Sequence, residues 1–185
     1  MGSVSAPDRG AQRLFFALWP NPKLQEALHR IGQSMQEAVS GRLVKEQNIH
    51  LTLAFLGSVS AERLDDLLAI GDSIRAEKFE LKLSEIGCWT RSAVGWIAPE
   101  SVPEPLEVLV LGLRQRLLKT GFLVDERPFA PHVTLLRKAR CRLKPLPPKT
   151  PLEWRINQVV LMRSDTLPDG PEYCQVGSWP LMNRS

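Results

Sequence analysis

Two stretches decide how this chain folds: "NIHLTLAFLG", residues 48–57, and "HVTL", residues 132–135. Each carries a histidine and a threonine two positions apart, interleaved with aliphatic residues. Side chains alternate between the faces of a β-strand, so residues i and i+2 point the same way. His50 and Thr52 are therefore predicted to share one face, and Leu51, Leu53 and Phe55 to share the other, as core. His132 and Thr134 stand in the same relation to Val133 and Leu135. Each strand gains an apolar face that packs on a helix and a polar face that looks into a groove. Two of the chain's three histidines fall in this one repeated pattern, which sets them apart from His29, a solitary histidine read as a surface residue of a helix.

Outward from these stretches the chain alternates helical and extended segments. "RLFFALWP", residues 13–20, is a β-rich apolar run ended by proline. Asn21 then caps a helix with Pro22 in its first turn, and Leu24, Leu28, Ile31 and Met35 lie on its apolar face. Ser60 opens a second helix with Leu64, Leu67, Leu68 and Ile74 as its stripe. "FELKLSEIGCW" and "AVGWIA" read as paired strands, residues 103–119 as a third helix stopped by Gly121, and "FAPHVTLLRK" as the strand after it. A proline-rich connection, "KPLPPKTPLEW", leads to two late strands in "WRINQVVLMRS" and "YCQVGSWPL". In each half a long helix feeds a strand bearing one copy of the motif. This predicts an α+β fold made of a duplicated unit: two lobes, each an antiparallel sheet with flanking helices, and an active-site groove between them. Residues 1–11 are expected to be a flexible tail and 12–185 a single bilobal domain.

Composition narrows the class. With 185 residues, 43% hydrophobic and 24% charged, the chain matches an ordinary soluble domain that needs no metal or disulfide staple. No apolar run approaches the roughly 18 residues of a membrane span, and the start lacks a secretory or myristoylation pattern. Cys88, Cys141 and Cys174 are distant from one another and odd in number, so reduced thiols and a cytoplasmic location are expected. The net charge of +4 favours an anionic partner, and "LLRKARCRLK", residues 135–144, concentrates five cations without an acid.

Paired imidazoles suit displacement at phosphorus. Their ordinary pKa near 6.5 lets one ring accept a proton from the attacking hydroxyl while the other donates to the leaving oxygen. Threonine hydroxyls donate to the non-bridging oxygens, and Arg137 supplies a cation. Strict alternation sets Arg137 on the face opposite His132, so the strand must bulge or end before it. Its counterpart after His50 is Phe55, so the halves are not equivalent. Zinc catalysis requires about three protein ligands, and neither motif holds Asp, Glu or Cys, so no metal is expected. No nucleophile elbow is present either.

The double His-x-Thr-x motif resembles that of the two-histidine phosphoesterase superfamily. The contexts "RLFFAL", "NIHLTLAFLG", "RSAVGWIA" and "RPFAPHVTLLRKA" are similar to its bacterial branch, which acts on RNA 2′,3′-cyclic phosphates. The resemblance implies metal-independent opening of the cyclic phosphate at an RNA 3′ end to a 2′-phosphomonoester, by a monomer with no cofactor. It implies His50 as proton donor and His132 as proton acceptor, with Thr52, Thr134 and Arg137 holding the phosphate. The residues themselves leave the two roles open, because the pattern is nearly symmetric. They also leave open the reverse reaction, 2′-5′ joining of a cyclic phosphate to a 5′-hydroxyl, and a non-catalytic RNA-end binder. Phe15 or Phe16, or a nearby tryptophan, is a candidate to stack a terminal base, although core packing is the favoured role for either phenylalanine, and part of the basic run is expected to contact the RNA backbone.

Overall fold

The computed structural model describes residues 10–125, 127–141, 150–168 and 170–183. Most of the expected tail, part of the proline-rich connection, and Arg142 and Lys144 of the basic run lie outside them. The chain begins with strand β1 (Gln12–Leu18) and helix α1 (Pro22–Val39). The Asn21 side chain accepts a hydrogen bond from the Leu24 amide at 2.9 Å, capping α1 as its sequence predicts. A two-residue strand β2 (Arg42–Leu43) and a 3-10 turn (Glu46–Asn48) lead into β3 (Leu51–Val59). A second 3-10 turn (Ala61–Arg63) then opens α2 (Leu64–Asp72), which is shorter than its apolar stripe. Strands β4 (Phe79–Trp89) and β5 (Val94–Pro99) form the expected pair, α3 spans Glu104–Lys119, and β6 spans Val133–Arg137. Strands β7 (Leu152–Ile156), β8 (Gln158–Leu167) and β9 (Gly170–Pro180) complete the chain.

The strands join in the order β7-β4-β5-β6-β3-β1-β8-β9, with β2 also on β6, and every named pairing is antiparallel. Two half-sheets meet at a single pair, Leu51 against Val133. One is β3-β1-β8-β9 and the other is β7-β4-β5-β6 with β2. The lobes are therefore not the two halves of the sequence. The C-terminal strands β8 and β9 return to β1, while α1, which follows β1, packs on β6 and β2 of the other lobe. Gly32 permits that packing: a Cβ there would lie 2.7 Å from Leu43 Cδ1. Conversely α3 packs on β3. This exchange knits both lobes into one hydrophobic core that runs from Leu28 and Leu135 to Leu113 and Leu161.

Bulges correct the simple alternation of β3. Its register with β1 slips twice, leaving Leu53 and Leu56 without an opposite residue. Leu51, Leu53 and Ala54 all turn to the core, and Phe55 is displaced to the other face, 49% exposed rather than buried. The Arg13 guanidinium lies 5.6 Å from the centre of its ring. The cysteines also depart from expectation. The path of β6 past β5 brings Cys141 beside Cys88 of β4, with Cα atoms 5.4 Å apart, and the two form a disulfide; Cys174 remains a free, exposed thiol. Because the bond closes a separation of 53 residues, reducing it in purified protein is expected to cost roughly 2–4 kcal/mol. Urea unfolding with and without reductant measures this, with Cys141→Ser as the control that should not respond.

Candidate active site

The Leu51–Val133 pair sets the two motifs antiparallel across the junction of the lobes. Extended one residue each way, that register puts His50 across from Thr134 and Thr52 across from His132. All four line one cavity of about 260 Å³, together with Arg137, Lys45 and Tyr173. Arg137 reaches it because β6 bulges. Trp96 of β5 pairs with Thr134 and Gly95 with Leu136, so Leu135 is passed over and both leucines bury on the helix side. The chain then leaves the strand at Lys138, which adopts a left-handed φ of 54°. The sequence condition on Arg137 is thereby met.

Both imidazoles are held alike. His50 Nδ1 is 2.7 Å from the Asn48 carbonyl oxygen, and His132 Nδ1 is 2.8 Å from that of Ala130. A carbonyl only accepts, so each Nδ1 carries a proton and each Nε2 is left for the cavity. Different local devices present the two carbonyls. Before His50 a 3-10 turn does so, supported by Gln25 and Asn48, the two buried polar side chains among the described residues. Gln25 Nε2 donates to the Ile49 and Gln47 carbonyls at 3.4 Å, and Asn48 Nδ2 donates to the Pro171 carbonyl at 2.8 Å. Before His132 the sequence "APH" suffices: Pro131 fixes its own φ and biases Ala130 toward an extended conformation.

The surroundings differ. Trp19 stacks on His50 with ring centres 5.0 Å apart and planes 2° from parallel, while Phe15 lies at 5.0 Å and Tyr173 meets it edge-on at 5.2 Å. A small apolar cluster of Phe15, Ala17, Val160 and Met162 supports this box on the groove side of the first lobe. Burial among these groups, helped by the charges of Arg137 and His132, lowers the His50 pKa to about 4, against the raising effect of the Asn48 carbonyl. His132 touches one aromatic ring, Trp89, edge-on at 4.5 Å. Its pKa is also lowered, by burial first and by Arg137 second. At neutral pH a pKa of about 4 leaves His50 neutral.

Phe15 takes the packing role rather than base stacking: it is 3% exposed and its ring lies against His50 and Tyr173. Phe16 is fully buried. Trp19 and Tyr173 were not singled out from the sequence as part of the histidine's setting. Phe15, Ala17 and Trp19 do stand at the alternating spacing of one face, and Tyr173 is the chain's only tyrosine. His29 is half-buried, its Nδ1 3.2 Å from the Val44 carbonyl, rather than a free surface group. Among the described residues no three His, Cys, Asp or Glu side chains gather as metal ligands would, and no helix is long and apolar enough to cross a membrane.

Compared with known families, residues 18–96 and 97–173 match the LigT-like phosphoesterase model in two consecutive copies, each with one His-x-Thr motif. The chain belongs to the LigT-like phosphoesterase family. It is 34% identical over 170 residues to the RNA 2′,3′-cyclic phosphodiesterase of Escherichia coli, covering 92% of this chain and 97% of that one. To the enzyme of the same name from Thermus thermophilus it is 29% identical, over 87% of this chain and 86% of that one. The crystal structure of E. coli LigT in its apo form superposes with a TM-score of 0.87 at 33% identity, covering 94% of this chain and 99% of that chain. The same relative complexed with 3′-AMP gives 0.86 at 34% identity, over 92% and 98%. The doubled match explains the pseudo-symmetry of this LigT-like fold about the Leu51–Val133 pair.

Proposed function

We propose that the chain hydrolyses RNA 2′,3′-cyclic phosphate termini to 2′-phosphomonoesters by paired-histidine acid–base catalysis. The observation that carries this reading is the convergence of two identically tethered imidazoles, two threonines and Arg137 on one cavity. The relatives named RNA 2′,3′-cyclic phosphodiesterase, and E. coli LigT in complex with 3′-AMP, support the choice of substrate.

In this mechanism the cyclic phosphate sits between the lobes, its non-bridging oxygens accepting from Thr52, Thr134 and Arg137. His132 Nε2 takes a proton from water as the water oxygen attacks phosphorus. The P–O3′ bond breaks, and O3′ receives the proton carried by His50 Nε2, leaving a 2′-phosphate and a 3′-hydroxyl. The donor must be an imidazolium, yet His50 by itself is neutral above about pH 4. An anionic substrate works against this depression: its charge offsets that of Arg137 and favours the protonated form of His50 on the leaving-oxygen side, while His132 must stay neutral to accept the proton of water. The aromatic faces around His50 then stabilise the cation. Both motifs come from one chain, so the working unit is the monomer. An RNA substrate favours a cytoplasmic location, against which the Cys88–Cys141 disulfide stands as an opposing feature.

Phosphorus NMR of a 2′,3′-cyclic nucleotide incubated with the protein tests the reading. The expected product is the 2′-phosphomonoester, at a rate unchanged by a chelator. A 3′-phosphate product, or binding without turnover, would overturn it. Supplying a 5′-hydroxyl acceptor in the same experiment separates hydrolysis from 2′-5′ joining, since microscopic reversibility lets the same groups serve both.

A further inference from the structure

Beside the reaction cavity lies a second one of about 480 Å³, lined by Trp19, Met162, Leu167, Gln47, Glu172 and Gln175. Lys45 and Tyr173 line both, so the two form a continuous cleft. Its size falls within the range of sites that enclose small organic ligands, roughly 300–1,000 Å³. Its lining is that of a base-binding site: an aromatic ring and two apolar side chains for stacking, and two amides able to pair with base edges.

The chemistry gives the cleft a direction. With His50 as donor to O3′, the ribose lies on the His50 side of phosphorus and the attacking water on the His132 side. A 3′-terminal cyclic phosphate has RNA only beyond that ribose, so the chain must leave past His50. Trp19 lies there, stacked on His50 and also lining the second cavity. Lys45, common to both cavities, stands where the first internucleotide phosphate would cross. Glu172 disfavours a second anion farther in, which suits a base rather than another phosphate.

We propose that the second cavity is a subsite for the nucleotide immediately 5′ of the cyclic-phosphate end, with its base on Trp19 and its phosphodiester beside Lys45. The proposal rests on His50 being the proton donor. Its consequence is selection of oligonucleotide ends over free nucleoside cyclic phosphates.

The test compares a mononucleoside 2′,3′-cyclic phosphate with a dinucleotide carrying the same terminus. The dinucleotide should have a kcat/KM at least about tenfold higher, the scale of one stacked base. Gln175→Trp, which adds bulk to the second cavity alone, should abolish that advantage and leave the mononucleotide within about twofold of wild type. Lys45→Gln should lower the salt dependence of dinucleotide binding by about one phosphate contact, a log–log slope change near 0.7. Parity of the two substrates in the wild-type protein, or an advantage that survives Gln175→Trp, overturns the subsite. Calorimetric titration with the mono- and dinucleotide 2′-phosphate products repeats the comparison without turnover. Absence of turnover of both substrates would instead strike at the proposed activity, and the calorimetry would still decide the subsite.

Discussion

His132→Ala and His50→Ala are each expected to lower kcat/KM for a 2′,3′-cyclic nucleotide by about 10²–10⁴-fold, the usual contribution of one positioned proton transfer. In the proposed mechanism the two imidazoles act in a single displacement, so the double variant should cost little more than either single one. The controls follow from the packing. His132 touches one ring, Trp89, and its truncation should leave the unfolding transition close to wild type. His50 fills a box of three aromatic rings, so His50→Gln, which restores volume without a titrating proton, separates lost chemistry from lost packing. Activity of His132→Ala or His50→Gln within threefold of wild type would remove the paired-histidine mechanism. His50 also leaves a mark on stability. Its pKa is about 4 when folded against an ordinary 6.5, so between those values the unfolded chain binds the extra proton. Stability should fall as pH drops from about 6.5 toward 4, and this part of the fall should be missing in His50→Gln. Urea midpoints at several pH values measure the difference.

Arg137→Met should act on rate and on titration together. Arg42 also lines the cavity, but Arg137 is the arginine whose charge acts on both histidines, and in the proposed mechanism its removal takes away a charge aimed at the phosphorane oxygens, worth about 10²–10³-fold by analogy with a lost oxyanion donor. The same guanidinium helps depress both His50 and His132. Its loss should therefore raise both pKa values in the free protein, which imidazole proton resonances followed by NMR titration read directly. Unmoved titrations with a large rate loss would mean that Arg137 contacts only substrate. Moved titrations with an unchanged rate would take it out of phosphate binding. Adding inorganic phosphate to the wild-type protein should raise the His50 pKa through the same electrostatic balance, now with an anion opposing the arginine.

Local signals carried far in this chain. The alternation of "HLTL" and "HVTL" pairs each histidine with its threonine and separates both from their leucines, because strand periodicity is a property of the backbone. The Asn21-Pro22 start of α1, the stop of α3 at Gly121 and the pairing of β4 with β5 are equally local. Bulges broke that reading. Nothing local in residues 51–59 announces two register slips, which depend on how β3 must bend against β1, and they are what expose Phe55. A bulge at Leu135 in turn restores Arg137 to the groove. The disulfide was illegible for a similar reason: sequence separation says nothing of the 5.4 Å between Cα atoms that the β4-β5-β6 order produces.

The residues alone were enough to nominate the groups for the proposed chemistry, since the capacity to donate or accept a proton or to bind a phosphate oxygen belongs to side chains and their strand spacing. Tertiary structure decided how the two nearly identical imidazoles differ. Trp19 arrives from the end of β1, Tyr173 from β9 and Phe15 from within β1 to enclose His50, while His132 meets only Trp89. Desolvation depends on what surrounds a charge in space, and those rings come from distant parts of the chain. No reading of one strand could assemble them.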